Sequence, residues 1–250
     1  MILARILRQE IIVLALGSTQ NCAKFWYQDR LLGLGSFLAS RFFEILRQVS
    51  FILANKIVLE YRNQMQDPGF RKHISKIEIS PIRLIDIGIY SKKGSNKDYF
   101  LVGYIGRFSG EKGGELEDTL KEEARKFSLS ENISFPGWIP HDELAKWTAN
   151  IDLLVMPSYT EGLPGVLLEA LASGTPLLAT PVGAIPDIIT DCWNGFLMET
   201  NSPECIASNI LRVKSYPTIS EVVDNGRSLI REHFNIDETR RISRRFLSLR

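Results

Sequence analysis

The 250-residue sequence predicts an α/β protein whose main unit is a doubly wound parallel sheet, and three observations carry that prediction. From Ile151 to Thr180 a short apolar run, a loop, an apolar helix and a second apolar run follow one another, the crossover of a parallel sheet. From Tyr99 onward, short apolar runs alternate with helical stretches. No sequence repeat or low-complexity tract offers a solenoid or a disordered chain instead.

Taken in order, Ile11 to Leu16 reads as a strand ended by Gly17-Ser18-Thr19. Arg5 and Arg8 before that run have the pattern of a signal peptide, but Glu10 directly ahead of so short a run favours a buried strand. From about Phe25 to Ala54, Leu31, Leu32, Leu34, Phe37, Leu38, Phe42, Phe43, Ile45 and Leu46 recur at helical spacing, with Arg30, Arg41, Arg47 and Lys56 around them. Such a helix either lies on a membrane surface or packs on a neighbouring sheet. The width of the stripe and the interruption of the basic face by Glu44 favour packing. Lys56 to Tyr61 and the region Ile77 to Ile89 read as short strands, with Arg62 to His73 a loop or short helix around Pro68-Gly69. Lys92-Lys93-Gly94-Ser95-Asn96-Lys97 reads as a linker. It divides a first unit, residues 1–95, from a second, residues 96–235, and residues 236–250 form a closing helix.

In the second unit, Phe100 to Ile105 is a predicted strand that runs into Gly106-Arg107 and Glu111-Lys112-Gly113-Gly114. Glu117 to Phe127 is a charged helix, Ile133-Ser134-Phe135 a brief strand before Pro136-Gly137-Trp138, and Asp142 to Asn150 a helix. Ile151 to Met156 is the buried strand of the crossover; Pro164 and Gly165 open its helix and Gly174 closes it. After the strand Leu177 to Thr180 come a helix at Pro186, an Asn194-Gly195 turn and the strand Phe196 to Met198. Ser202 caps a helix with Pro203 in its first position, and the tail from Asn225 to Arg250 is helical and basic.

Ligands of such sheets sit beyond the carboxyl ends of the strands, where helix-start amides favour anionic or polar oxygens. Glu161 and Glu169 frame the crossover helix. If both were helical they would stand about 12 Å apart along the axis and about 80° apart around it, so one elongated ligand would reach both. Taken singly, each is more often a helix-start acid or a solvated carboxylate.

The surrounding residues add what the pair alone lacks. Pro157-Ser158, Glu161-Gly162-Leu163-Pro164 and Leu168-Glu169-Ala170-Leu171-Ala172-Ser173-Gly174-Thr175-Pro176 resemble, over about twenty contiguous positions, the signature of retaining glycosyltransferases of family 4. That family has the GT-B fold, and its mark is two glutamates separated by seven residues. The resemblance covers Tyr99 to Arg250. It implies that Glu161 contacts the transferred sugar and Glu169 the ribose hydroxyls, while amides of Gly162, Leu163, Gly165 and Val166 help hold sugar and diphosphate. Gly106-Arg107 and Glu111-Lys112-Gly113 look like the family loop whose Arg and Lys hold the diphosphate, the charges two adjacent phosphates require. Phe135 to Pro140 is similar to the segment that meets the base through Ile139; there Trp138 either stacks or merely packs.

The resemblance also has gaps. The two glycine landmarks fuse at Lys112-Gly113-Gly114-Glu115, so one βα unit is missing and the expected repair is direct pairing of the strands at Phe100 and Ile133. Residues 1–95 resemble only the later part of the acceptor domain, a truncated α/β unit without the opening strand and glycine-rich loop. Leu16 stands where the family often has a His, and His73, His141 and His233 match no motif.

The net charge of +1 gives no reason to expect nucleic acid. Cys22, Cys192 and Cys205 are too scattered for a disulfide framework or metal site, which points to a reducing, cytoplasmic compartment, with peripheral membrane contact left open. No run approaches the roughly 20 apolar residues of a spanning helix. By the family resemblance, the expected activity is transfer from a nucleoside-diphosphate sugar to a glycan, lipid-linked or small-molecule acceptor, with no cofactor and no metal. Catalytic roles fall to Glu161, Arg107 and Lys112. The rival readings are a non-catalytic nucleotide-sugar-binding or partner subunit and a truncated product that folds poorly.

Overall fold

The computed structural model of the chain describes residues 12–15, 34–80, 85–90, 98–106 and 117–234. Two parallel sheets organise them. The first has the order β1 (Ile12–Ala15), β2 (Lys56–Leu59), β3 (Ile77–Ile79), in register Val13 to Ile57 and Ile57 to Ile77. The helix α1 (Leu34–Leu53) crosses from β1 to β2. Two 3-10 helices, Arg62–Gln66 and Pro68–Lys76, lead to β3. A third 3-10 turn, Ile87–Ile89, stands where part of a strand was expected, closed by the Asp86 side chain, which accepts from the Gly88 amide at 3.0 Å.

The second sheet has the order β4 (Val102–Gly103), β5 (Leu153–Met156), β6 (Leu177–Ala179), β7 (Phe196–Leu197), all parallel. Around it lie α2 (Glu117–Lys126), α3 (His141–Asn150), α4 (Gly165–Ser173), α5 (Ile185–Ile188), α6 (Pro203–Lys214) and α7 (Ile219–His233). Alternate strand residues enter different cores. Leu154, Met156, Leu177 and Ala179 join the core with α4 and Ile230 of α7, whereas Leu153, Val155, Leu178 and Phe196 join the one with Val213 of α6. Period-two side chains that feed two cores are what a sheet covered on both faces requires, so the sheet is doubly wound.

The element boundaries have local causes. Pro164 stands at the N-cap of α4, and Gly174 ends the helix at φ 73°, its amide returning to the carbonyls of Ala170 and Leu171. Ser202 accepts from the Cys205 amide at 3.2 Å ahead of Pro203, the cap expected of α6. β4 keeps only two residues of the predicted Phe100 to Ile105. Asp152 takes the Leu101 amide on its carboxylate at 2.8 Å, and the Ile151 side chain lies where a Cβ on Gly103 would stand.

Two expectations fail. Ile133–Phe135 is not a strand and does not pair with β4; Ile133 and Ser134 are exposed, and among the described residues β4 meets β5 alone. Three residues with Ser at the centre and Pro136 behind them bury too little to hold a ladder, so among the described residues β4 is an edge. Nor, from Phe42 to Ile52, does the apolar stripe of α1 pack on the sheet, which the helix meets through Phe51 instead. The inward face carries Phe51, stacked on Phe70 with centroids 4.9 Å apart, and Arg47, which meets Asp67 at 2.6 Å; Phe42, Ile45, Leu46, Val49 and Ile52 are exposed. The 3-10 helix at Pro68 brings an aromatic ring and a carboxylate to one side of α1, and they claim the face that carries Arg47.

The linker at 92–97, Leu16, the start of the long helix and the tail from 235 lie outside the described residues. The first sheet's unit meets the second directly. Tyr61, Ile85 and Tyr90 enter the core that contains Leu163, Leu167 and Ile230, and the Ile85 amide donates to the Phe234 carbonyl at 3.2 Å.

Candidate functional site

The loop between β5 and α4 sits at the carboxyl end of the sheet and is braced from three directions. Ser158, at the end of β5, is buried and donates its hydroxyl to Oε1 of Glu161 at 2.7 Å. Thr180, at the end of β6, donates its own hydroxyl to the Ser158 carbonyl at 2.6 Å. The Ala184 amide donates to the Gly162 carbonyl at 3.0 Å, and Gly183 packs its backbone against the carbonyls of Glu161 and Gly162 at φ 61°, a left-handed conformation in which a Cβ would overlap them. The third brace comes from the first unit. Tyr61 donates a long hydrogen bond to the Glu161 carbonyl at 3.5 Å, Asn63 Nδ2 donates to the Gly183 carbonyl at 3.1 Å, and the Asn63 amide donates to Asp187 at 2.7 Å.

Glu161 precedes α4 instead of lying on it, because Pro164 confines the helix to Gly165 onward. The helical spacing expected between the two glutamates therefore does not apply. Glu161 rides a loop at the mouth of the site, whereas Glu169 lies on α4, at 7% exposure. Beside Glu169 stands Tyr90, whose phenol is buried. Burial first, then the charge of Glu169 and then that of Asp86, push it up to about 12, so it keeps its proton throughout the physiological range.

Leu163 is buried and anchors the loop, while Gly162, Gly165 and Val166 are half-buried beside it. No side chain caps α4 at Pro164, so the first-turn amides are directed past the helix end. Trp138 is 86% exposed. It does not pack, which removes one of its two readings and leaves its ring face accessible; Ile139 beside it is half-buried. Arg107 and Lys112 lie outside the described residues. The structure thus brings Glu161, Glu169 and the α4 amides to one end of the sheet, next to the first unit. Tyr90, Tyr61 and Asn63 were missed by sequence reasoning, since nothing local marks them. Among the described residues no cluster of His, Cys, Asp and Glu is arranged to hold a metal ion.

The family model for glycosyl transferases group 1 matches residues 91–228, which contain the whole crossover. The chain belongs to the group 1 glycosyl transferases. Among curated members, the D-inositol 3-phosphate glycosyltransferase of Streptomyces bingchenggensis is 31% identical over 142 residues, 57% of this chain and 31% of that protein. MJ1178 of Methanocaldococcus jannaschii, an uncharacterized glycosyltransferase, is 25% identical over 200 residues, 80% of this chain and 54% of that one. This group 1 glycosyl transferase thus spans about a third to a half of the length of the curated relatives it matches. Solved structures extend the likeness to the first sheet. Sucrose-phosphate synthase from Thermosynechococcus elongatus has a TM-score of 0.76 at 18% identity, over 98% of this chain and 70% of that one. Anabaena Alr3699/HepE, solved in complex with UDP-glucose, has a TM-score of 0.75 at 16% identity over 99% and 75%. At such identities the likeness concerns the fold, which is GT-B.

Proposed function

We propose that this chain transfers a sugar from a nucleoside-diphosphate sugar to an acceptor hydroxyl with retention of anomeric configuration, as enzymes of family 4 do. The observation that carries the reading is the placement of Glu161 and Glu169. One lies on a braced loop and the other on the buried side of α4, at the strand ends that face Tyr61 and Tyr90. Glu161 holds hydroxyls of the sugar, Glu169 those of the ribose, and the amides of Gly162, Leu163, Gly165 and Val166 meet the sugar and diphosphate. Ile139 and the exposed Trp138 take the base. Arg107 and Lys112 neutralise the departing diphosphate, so no metal is needed. The anomeric carbon–oxygen bond to the phosphate breaks, the acceptor oxygen bonds to that carbon from the same face, and its proton goes to the leaving phosphate oxygen.

The UDP and UDP-glucose complexes of Alr3699/HepE make a uridine nucleotide the first donor to try. The acceptor is a glycan, a lipid-linked sugar or a small polyol. The free thiols Cys192 and Cys205 favour the cytoplasm, and the unit boundary falls at the 92–97 linker.

The test is release of nucleoside diphosphate from a panel of labelled donors, with product configuration read by NMR. Glu161→Ala and Lys112→Ala are each expected to abolish transfer. Unchanged turnover in both would remove the assignment, and donor binding without any turnover would make the chain a nucleotide-sugar-binding subunit.

A further inference from the structure

Asn63 reaches from the first unit to the segment that supports Glu161. β2 ends at Leu59, and the chain turns directly into the 3-10 helix Arg62–Gln66. That turn is fixed from within, because the buried Gln64 accepts the amides of Glu60 and Tyr61 on Oε1, at 2.8 and 3.3 Å. Asn63, half-buried, then meets the second unit at two points. Its amide donates to Oδ2 of Asp187 at 2.7 Å, and its Nδ2 donates to the Gly183 carbonyl at 3.1 Å. A residue held by both backbone and side chain has little conformational freedom left, so it passes the position of its own turn to the loop it holds.

Both of its partners belong to one short segment beneath the Glu161 loop. Gly183 packs against the carbonyls of Glu161 and Gly162, and the Ala184 amide donates to the Gly162 carbonyl at 3.0 Å. Tyr61 reaches the Glu161 carbonyl directly, but at 3.5 Å that hydrogen bond is weak. Ser158 aims the carboxylate from within the second unit, at 2.7 Å. The height of the loop is a separate matter, and Asn63 acts on it through Gly183. Glu169, by contrast, lies within α4, whose ends are set by Pro164 and Gly174.

We infer that Asn63 is a positioning residue for the transferred sugar: through Gly183 it holds Glu161 at the height where the carboxylate meets the sugar hydroxyls. The inference rests on the reading that Glu161 binds the sugar and Glu169 the ribose. Its consequence is selective. Loss of the Asn63 bonds loosens the grip on the sugar and spares the grip on the nucleotide, because the link from Asn63 ends at the Glu161 loop and not at α4. A misplacement of about 1 Å in such a group is enough to cost roughly a hundredfold in rate.

The test is calorimetric titration of the full chain with UDP, UDP-glucose, GDP and GDP-mannose, and of its variants with the pair that the parent binds. Asn63→Ala is expected to weaken the nucleotide sugar about fivefold or more, while affinity for the bare diphosphate stays within about twofold of the parent. Asp187→Ala, at an exposed position, should act in the same direction and by less. On a Glu161→Ala background, Asn63→Ala should add no further loss, since the carboxylate that it positions is gone. Equal weakening of both ligands overturns the inference and leaves the donor reading standing. So does an unchanged affinity for the nucleotide sugar in Asn63→Ala, or a fully additive loss on the Glu161→Ala background. A parent that binds neither nucleotide sugar removes the donor reading and this inference with it.

Discussion

Gly183 lies against the carbonyl of Glu161 at φ 61° with no space for a Cβ. The loop after β6 thereby fixes the height of the loop after β5, and Asn63 holds the same Gly183 from the first unit. Gly183→Ala adds a left-handed penalty of about 1–2 kcal/mol and an overlap of about 1–3 kcal/mol. The melting temperature is expected to fall by roughly 5–10 °C, with weaker donor binding; a thermal melt and a titration check both.

Ser158 donates its hydroxyl to the Glu161 carboxylate at 2.7 Å. Loss of a hydrogen bond to a charged group costs about 1.5–3 kcal/mol, so Ser158→Ala is expected to lower kcat/KM by roughly ten- to a hundredfold. Steady-state kinetics on the purified variant measure this, and an unchanged kcat/KM would show that Glu161 needs no such support.

Tyr90 makes stability fall at alkaline pH. Its folded value of about 12 lies above the ordinary value near 10, so the folded chain holds a proton that the unfolded chain gives up. The contribution is complete below pH 10 and is lost as pH rises towards 12. Denaturant titrations from pH 9 to 11 should show a shallower decline for Tyr90→Phe than for the parent.

Asp67 behaves in the opposite sense. Burial pushes its carboxyl up, but the Arg47 hydrogen bond, the Gly69 amide and the charge of Arg47 outweigh it and hold it below the ordinary range. Its contribution is present above pH 4 and is lost as pH falls through the depressed value. Arg47→Met leaves Glu44 and Asp67 without their shared cation and is expected to destabilise by about 3 kcal/mol, read from the shift of the urea midpoint.

The crossover was legible because its determinants are contiguous. Pro164 sets where α4 begins, Gly174 where it ends, and the runs at Leu153 and Leu177 have no polar residue to mark an outer face. Tyr90 and Asn63 were illegible for the converse reason, since Asn63 meets Gly183 across 120 positions and no local pattern encodes that meeting. The stripe of α1 was read correctly as apolar and helical, yet periodicity does not say which face turns inward. Phe70 and Asp67, contributed by a later element, decided it. Ile133 to Phe135 alternates as a strand does, but a strand requires a neighbour and three residues do not secure one.

The most direct test of the account is calorimetric titration of the chain and of Glu169→Ala with UDP and UDP-glucose. The account predicts saturable one-to-one binding, weakened about tenfold or more by the substitution, with the melting temperature of the variant near that of the parent. Binding of equal strength in both proteins, or no binding to either nucleotide or to its purine counterparts, would contradict the claim that the two glutamates bound a single nucleotide-sugar site.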